Sequence, residues 1–226
     1  MKKAFWGVLA CALGSMGMMA TKGASANSGV YVYGDAGVAL AKAGDTPAQG
    51  GFTQGARWFS TTWTTSNAAG AAQLGVGYRV APAVAVELGY AYLGGFKNEW
   101  QGSWRNRLRD PGQSFASNQN VYMQGVRVAA LGIYPLSDKF ELFGSLALYG
   151  VSYKTDPTAD MEALGFKKQT TFKVRPAIGA GLTYRITPSL HVRAQYEFVN
   201  TALKRPADNI KISNTQSVRL GLVYAF

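Results

Sequence analysis

The stretch Arg219-Leu220-Gly221-Leu222-Val223-Tyr224-Ala225-Phe226 alternates strictly between two kinds of side chain. One side is apolar and ends on aromatic residues, namely Leu220, Leu222, Tyr224 and Phe226. The other side is mostly small or polar, with Arg219, Gly221, Val223 and Ala225. A period of two is typical of a β-strand whose two faces meet different surroundings. Because transmembrane β-barrels place lipid on one face and a polar interior on the other, we predict that this segment closes such a barrel.

Seven upstream segments repeat the pattern, which predicts an all-β protein: an eight-stranded antiparallel up-and-down transmembrane β-barrel. Apolar residues fall on even positions, as in Val84, Val86, Leu88 and Tyr90, and we expect these positions to face lipid. Odd positions hold mainly Gly, Ala and charged residues, which could not fill the apolar core of a soluble lipocalin-like barrel. The predicted strands are 29–41, 69–80, 83–93, 120–134, 140–153, 172–185, 190–203 and 214–226.

The connections alternate between short and long. Short turns are predicted at 80–83, 135–139 and 186–189, two of them with Pro in a favourable position. The long polar connections are 42–68, 94–119, 154–171 and 204–213. Short turns on the periplasmic side and long loops outside are the arrangement of outer-membrane barrels, so both ends of the barrel are expected in the periplasm.

The first 26 residues have the pattern of a secretory signal peptide. Lys2 and Lys3 precede an apolar run, and Ala24-Ser25-Ala26 forms a cleavage site, which predicts a mature domain over 27–226. The run is too short and too rich in Gly for a membrane-spanning helix. A lipoprotein signal at Cys11 is the alternative, but Leu9 occupies a position where a small residue is usual. Since Cys11 is the only cysteine, the mature chain is expected to lack disulfides and thiol chemistry.

Composition indicates one basic domain. Loss of Lys2, Lys3 and Lys22 with the leader would leave 20 of the 23 basic residues against 12 acidic ones. Because the basic residues are dispersed through strands and loops of an exported chain, we expect lipopolysaccharide phosphates or acidic host polymers as partners, and no nucleic acid. The sequence shows no metal-ligand cluster or phosphate-binding loop, so no cofactor or metal is expected.

Three segments carry a resemblance to a known family. They are Val86–Gly94, Gly125-Val126-Arg127 leading to Tyr134-Pro135-Leu136-Ser137-Asp138, and Tyr184-Arg185-Ile186-Thr187-Pro188. Together they resemble the eight-stranded transmembrane domain of the outer membrane protein A family, over nearly all of the mature chain except its loops. The larger members of that family add a periplasmic peptidoglycan-binding domain. We expect no such anchoring here, and a plan closer to the short surface-antigen members.

The ending of the chain carries a second resemblance. Gly221, Tyr224 and Phe226 follow the polar-x-Gly-x-x-aromatic-x-Phe pattern, which is similar to the signal read by the bacterial outer-membrane assembly machinery. The assembly machinery is therefore an expected partner.

The odd-numbered strand positions are expected to face the barrel interior, and many of them are charged. The inward charged residues are Asp35, Arg79, Glu87, Arg127, Glu141, Lys173, Arg175, Arg185, Arg193, Glu197 and Arg219. The family resemblance implies an ion pair between Glu87 and Arg193 that could switch partners and open a pore. Leu131 and Thr183 stand where the family has the alternative partners, a lysine and a glutamate. Two interpretations stay open: a gated ion path, and a static polar plug in a barrel that its side chains just fill.

An enzymatic alternative rests on the predicted seventh strand. Residues 192–206 resemble the corresponding strand of lipid A deacylases, which need His-x-Ser there because the serine requires an adjacent base. Gln195 and Glu197 occupy those positions, so a catalytic pair is missing. His191, the only histidine, is predicted to be a polar residue of the barrel interior.

The second long connection carries the strongest candidate for ligand binding. Its aromatic and basic residues are interleaved, which suits sugar stacking and phosphate pairing, or else anchoring in the membrane interface: Trp100, Trp104, Arg105, Arg107 and Arg109. Lys204, Arg205 and Lys211 extend the basic rim.

The expected function is that of a non-enzymatic outer-membrane barrel of a Gram-negative bacterium. It would support envelope integrity, bind a host or extracellular ligand through its loops, and conduct ions at most weakly. An acyl hydrolase acting on lipid A or phospholipid is the alternative from another class.

Overall fold

The computed structural model describes residues 29–43, 58–65, 67–105, 113–157, 168–201, 203–205 and 210–226. They form ten strands: β1 (Val30–Ala43), β2 (Trp58–Thr65), β3 (Ala68–Ala81), β4 (Val84–Arg105), β5 (Gln113–Pro135), β6 (Phe140–Pro157), β7 (Gln169–Arg185), β8 (Leu190–Val199), β9 (Leu203–Arg205) and β10 (Ile210–Ala225). None of the described residues forms a helix long and apolar enough to cross a membrane. The predicted leader 1–26 lies outside the described residues.

Eight of the strands close into a barrel. The order is β1-β3-β4-β5-β6-β7-β8-β10, and β10 pairs with β1 from Tyr31 opposite Ala225 to Ala43 opposite Ile212. All neighbours are antiparallel and sequential, which confirms the predicted eight-stranded up-and-down barrel. Closure pairs the backbone groups of every barrel strand on both sides, as a strand in lipid requires.

The short turns are stabilised by their own side chains. The Ser137 hydroxyl accepts a hydrogen bond from the Phe140 amide at 3.2 Å, and the Thr187 hydroxyl accepts one from the Leu190 amide at 2.9 Å. A side chain that binds the backbone two or three residues on is what makes Ser and Thr favourable in turns.

The predicted loops 42–68 and 94–119 both contain strand. The first includes β2, and the second includes the outer parts of β4 and β5, which are 22 and 23 residues long. A membrane-spanning strand needs about 9–11 residues, so the outer parts of β4 and β5 extend well beyond the membrane. We call this extension the outer sheet; it consists of residues 97–105, residues 113–120, and β2, which pairs with β4 from Trp58–Arg105 to Thr65–Asn98. The sequence pattern missed it because a strand in water does not need the lipid-facing alternation, while its Trp, Phe and Thr content still favours β structure.

The other two long connections are also partly strand. β6 runs on to Pro157 and β7 begins at Gln169, so both ends of the predicted connection 154–171 are strand. β8 ends at Val199, earlier than predicted, and the short β9 then pairs with Ile210–Ile212 of β10.

A β-bulge marks the point where β4 leaves the regular barrel. Gly94 has φ +118°, a conformation that favours glycine, and the pairing with β5 shifts between Tyr92 and Gly94. As a result Leu93 and Phe96 are both buried inside, although one has an odd and the other an even number and a regular strand would place them on opposite faces.

The outer surface of the barrel is apolar at even positions, as predicted. Leu74, Leu88 and Leu220 expose 70%, 53% and 62% of their surface. Aromatic pairs lie towards the periplasmic end, with 4.8 Å between the rings of Phe140 and Tyr184 and 5.2 Å between those of Tyr224 and Phe226. This is the aromatic girdle of a membrane interface.

Candidate functional site

The centre of the barrel interior is a continuous row of ion pairs, starting at Glu87 of β4. Its Oε1 accepts hydrogen bonds from both terminal nitrogens of Arg193 at 2.8 Å, and its Oε2 accepts one from Arg127 Nη1 at 2.9 Å. The Tyr31 hydroxyl also donates to Oε1 at 2.9 Å. Glu87 and Arg193 therefore meet inside the barrel, and Glu87 is shared between two arginines.

The row continues through Glu197 to the closing strand. Arg127 Nε lies 3.0 Å from Glu197 Oε1, while Glu197 Oε2 accepts hydrogen bonds from Tyr149 at 2.5 Å and from Arg219 Nη2 at 2.6 Å. Arg219 Nε lies 2.7 Å from Asp35 Oδ1, as an ion pair without an aligned hydrogen bond. Six side chains are thus linked by successive ion pairs, and we call them the charge row: Arg193, Glu87, Arg127, Glu197, Arg219 and Asp35.

The charge row is electrically balanced, with three carboxylates and three guanidiniums. It links β4 with β8 and β5 with β10. The strands of each pair are four positions apart in the eight-stranded barrel, so they lie on opposite sides of its wall. The side chains are at most 5% exposed. Removal of one partner would leave an unpaired buried charge, whereas the complete row satisfies each charge.

Neutral side chains support the row. Gln73 donates to the Tyr33 hydroxyl at 2.9 Å and accepts from Arg219 at 3.0 Å, and Gln195 donates to Asp35 at 3.2 Å. The Arg193 guanidinium also lies over the rings of Tyr33 and Phe143, at 4.9 and 5.3 Å. The pattern analysis did not single out Tyr33 or Gln73, although their odd parity placed them inside.

Glycines on β3 and β4 make room for the tyrosines of β1. A Cβ at Gly77 would overlap the Tyr31 ring, and a Cβ at Gly75 or Gly89 would overlap the Tyr33 hydroxyl group. Small residues in the barrel wall therefore let both rings lie against it and reach the charge row.

A second cluster lies towards the periplasmic end. Arg79 binds Glu141 through two nitrogens at 3.1 and 3.2 Å, and Arg185 approaches the same carboxylate at 3.5 Å. We call Arg79, Glu141 and Arg185 the periplasmic cluster. It borders a cavity of about 310 Å³ that is also lined by Leu131 and Thr183. His191 lines the cavity as well, is buried, and lies 3.3 Å from the Pro188 carbonyl through Nε2.

The outer half of the interior contains a largely apolar layer, whereas the odd positions were expected to hold mainly Gly, Ala and charged residues. One inward residue from each barrel strand, each at most 4% exposed, forms what we call the apolar layer: Ala39, Ala71, Leu93, Met123, Val151, Ala177, Val199 and Thr215. Thr215 is its one polar member, and its hydroxyl lies 2.7 Å from that of Thr201. The sequence showed Met123, Val151 and Val199 at odd positions of predicted strands.

The remaining predicted residues lie towards the outer end. Arg175 is half-buried and its Nε lies 3.3 Å from the Tyr153 hydroxyl. Lys173 lies opposite the inward Val151 in the β6–β7 register, but its side chain is exposed. Trp100, Trp104 and Arg105 belong to β4 rather than to a loop, whereas Arg107 and Arg109 lie outside the described residues. Lys204 and Arg205 form most of β9, with Lys211 opposite Lys204.

The acidic and histidine side chains do not gather into a metal site within the described residues. The charges of the charge row instead form ion pairs with one another, which suits a structural or gating role.

Comparison with known proteins identifies the family. The OmpA-like transmembrane domain model matches residues 25–226. The chain belongs to this family. It is 29% identical to outer membrane protein A of Shigella flexneri over 170 residues, and 30% identical to that of Shigella dysenteriae over 165 residues. These alignments cover 72% and 70% of this chain but 42% of each relative, so the chain spans less than half the length of these curated relatives.

A solved structure shows the same fold. Neisserial surface protein A superposes with a TM-score of 0.52 at 16% identity, covering 88% of this chain and 98% of that one. Together with the apolar outer face, family membership places this OmpA-like barrel in the bacterial outer membrane, in contact with its lipids.

Proposed function

We propose that this OmpA-like barrel is a non-enzymatic protein that supports envelope integrity and binds extracellular ligands through its outer sheet. The observation that carries the proposal is the division of the molecule into a filled barrel and a sheet that extends beyond the membrane. A filled interior suits a structural role, and an extended sheet is accessible from outside the cell.

The interior favours a static plug over an ion path. Leu93, Met123 and Val151 have no exposed surface, so water does not contact them from either side of the barrel. A dry apolar constriction blocks ions because they cannot shed their hydration shell there. Leu131 and Thr183 also offer no charge that could exchange for Glu87 or Arg193. We expect no stepwise conductance when the purified protein is added to planar bilayers; regular openings would support the gated path instead.

The positions that match the deacylase motif argue against lipid hydrolysis. Gln195 and Glu197 are 6% and 2% exposed and bind Asp35, Arg127 and Arg219 inside the barrel. A lipid substrate would meet the outer wall, where these side chains do not point. Incubation with lipid A should release no acyl chains, and a fatty acid product would establish the enzyme instead.

The outer sheet supports surface interaction through its composition. Trp63 lies opposite Trp100 in the β2–β4 register, Phe59 opposite Trp104, and Trp58 opposite Arg105. Aromatic residues as a class suit stacking on sugars, and basic residues suit pairing with phosphate or sulfate. Lipopolysaccharide phosphates and acidic extracellular polysaccharides share this chemistry.

A shortened variant tests the role of the outer sheet. Asn98 and Gln119 are paired, so residues 99–118 can be replaced by Asn-Gly, a two-residue connection that suits a β-hairpin. The variant should lose binding to immobilised heparin, used as a polyanionic probe, while remaining in the outer membrane. A second variant keeps the full length but replaces three arginines, with Arg105→Gln, Arg107→Gln and Arg109→Gln. It should lose the salt-sensitive part of the heparin binding. Unchanged heparin binding by the shortened variant would contradict the proposal.

We also propose that Gly221, Tyr224 and Phe226 are read by the outer-membrane assembly machinery. Tyr224 and Phe226 are exposed on the outer wall, and Gly221 packs against the backbone of Gly34 and Asp35. The motif thus combines an accessible aromatic edge with close strand packing.

A further inference from the structure

The cavity beside the periplasmic cluster is closed towards the centre of the barrel and accessible from the periplasmic end. Its inner wall includes Tyr31 and Arg193, which belong to or contact the charge row. Its other end is bordered by Pro188 and Ser189 of the periplasmic turn. Since the charge row and the apolar layer fill the barrel beyond it, a solute can enter this cavity only from the periplasm.

The side chains that line the cavity carry an excess of positive charge. Arg79 and Arg185 share a single carboxylate, Glu141, and no other carboxylate of the described residues pairs with either guanidinium. Arg193 also borders the cavity, but its charge is compensated by Glu87. The balanced charge row therefore contributes nothing to the excess, which resides in the periplasmic cluster. A half-buried guanidinium without a full partner favours an anion beside it.

Arg185 is the group best placed to bind that anion. Arg79 is occupied by Glu141 and by the Pro82 carbonyl, which accepts from its Nη2 at 2.7 Å. Arg185 makes only the 3.5 Å contact with Glu141, and its side chain is 26% exposed. A guanidinium has five N–H donors in a planar fork that matches a carboxylate. Most of the donors of Arg185 are therefore available to a ligand.

The rest of the wall is largely apolar. Leu131, Ile133, Phe143, Val223 and Ala225 line the cavity. A volume of about 310 Å³ corresponds to roughly ten water molecules, at about 30 Å³ each. An aromatic or short aliphatic body of similar size would fill it.

We propose that this cavity is a binding site for a small organic anion from the periplasm, with Arg185 holding its carboxylate and the apolar wall holding its body. The proposal goes beyond the surface role assigned above, because it concerns the opposite end of the molecule. It predicts a ligand of about ten non-hydrogen atoms in total that combines one negative charge with an apolar body, in line with the cavity volume.

Benzoate is a suitable probe, observed by saturation-transfer NMR on the full chain folded in lipid nanodiscs, with empty nanodiscs as background. We expect saturable binding of benzoate, at least tenfold weaker binding of uncharged benzamide, and little binding of acetate, which lacks the apolar body. Arg185→Gln should weaken benzoate binding at least tenfold. Arg175→Gln is the matched control, since Arg175 lies on the same strand but does not line the cavity, and it should bind like the natural protein.

A second variant keeps the test independent of Arg185. Thr183→Phe places a ring in the cavity without changing its charge, and it should abolish benzoate binding while the boiled and unboiled protein still migrate differently on gels. The proposal is overturned if benzoate binds no better to the protein than to empty nanodiscs. Equal binding of benzamide, or equal effects of the Arg185 and Arg175 variants, would also overturn it, as would undiminished binding by a folded Thr183→Phe variant.

Discussion

Glu87 is the residue on which the interior depends most, because one carboxylate receives two guanidiniums and a tyrosine hydroxyl. Glu87→Gln would leave Arg193 without its full charge partner in a buried site. We expect this change to lower the free energy of unfolding by about 3–5 kcal/mol, measured by urea titration in lipid vesicles. The control is Glu99→Gln in the outer sheet, which should change the free energy by less than about 0.5 kcal/mol. Equal effects of the two changes would contradict the role of the charge row.

A double-mutant cycle isolates the pair itself. Combining Glu87→Gln with Arg193→Gln removes the unpaired charge, so the double variant should be more stable than the sum of the single losses predicts. Arg127 retains Glu197 in this variant, which keeps the rest of the row in place. Strictly additive losses would show that Glu87 and Arg193 do not interact.

Tyr149 tests the row at its second carboxylate. Its hydroxyl donates to Glu197 at 2.5 Å, and it is fully buried. Tyr149→Phe should destabilise the protein by about 1.5–3 kcal/mol, since a hydrogen bond to a charged group is lost without a replacement. The matched control is Tyr196→Phe on the lipid-facing wall, for which we expect little change in the same urea titration. A neutral Tyr149→Phe variant would mean that water replaces the hydroxyl.

At the scale of the elements, β3 shows why glycine is placed on particular strands. A Cβ at Gly77 would meet the ring of Tyr31, which is held by Glu87, whereas a Cβ at Gly70 on the same strand meets nothing within 4 Å. Gly77→Ala should therefore cost about 1–3 kcal/mol of unfolding free energy through overpacking. Gly70→Ala should be neutral or slightly stabilising, because alanine restricts the unfolded chain. The reverse order of the two variants would refute this account of the wall.

The closing strand β10 carries a prediction about assembly. If Phe226 is part of the signal for the assembly machinery, Phe226→Ala should reduce the amount of folded protein in the outer membrane. Phe140→Ala is the control, because Phe140 is another aromatic residue of the same girdle, 40% exposed. Quantitative surface labelling of cells measures both. Equal reductions would attribute the effect to the girdle rather than to recognition of β10.

For the molecule as a whole, closure of the barrel and extension of the outer sheet are separate properties. The pairing of β1 with β10 lies in the barrel, while β2 pairs only with the outer part of β4. The variant that replaces residues 99–118 should thus still resist detergent until boiled and migrate differently on gels before and after heating. Identical migration would indicate that the outer sheet is needed to hold the barrel closed.

Alternation along the chain determined the barrel, because each lipid-facing strand must repeat its apolar residues at every second position. The sequence also placed Glu87, Arg193 and Glu197 inside, since parity alone decides on which face a strand residue lies. It did not reveal that Glu87 is shared by two arginines, that Arg79 and Arg185 compete for Glu141, or that Leu93 and Met123 seal the outer half. Those relations join residues from strands far apart in the chain, and they depend on register, on the bulge at Gly94 and on the reach of long side chains across the barrel. The outer sheet was hidden for a related reason: its strands face water, so pairing between distant segments, rather than alternation in any one of them, decides their structure.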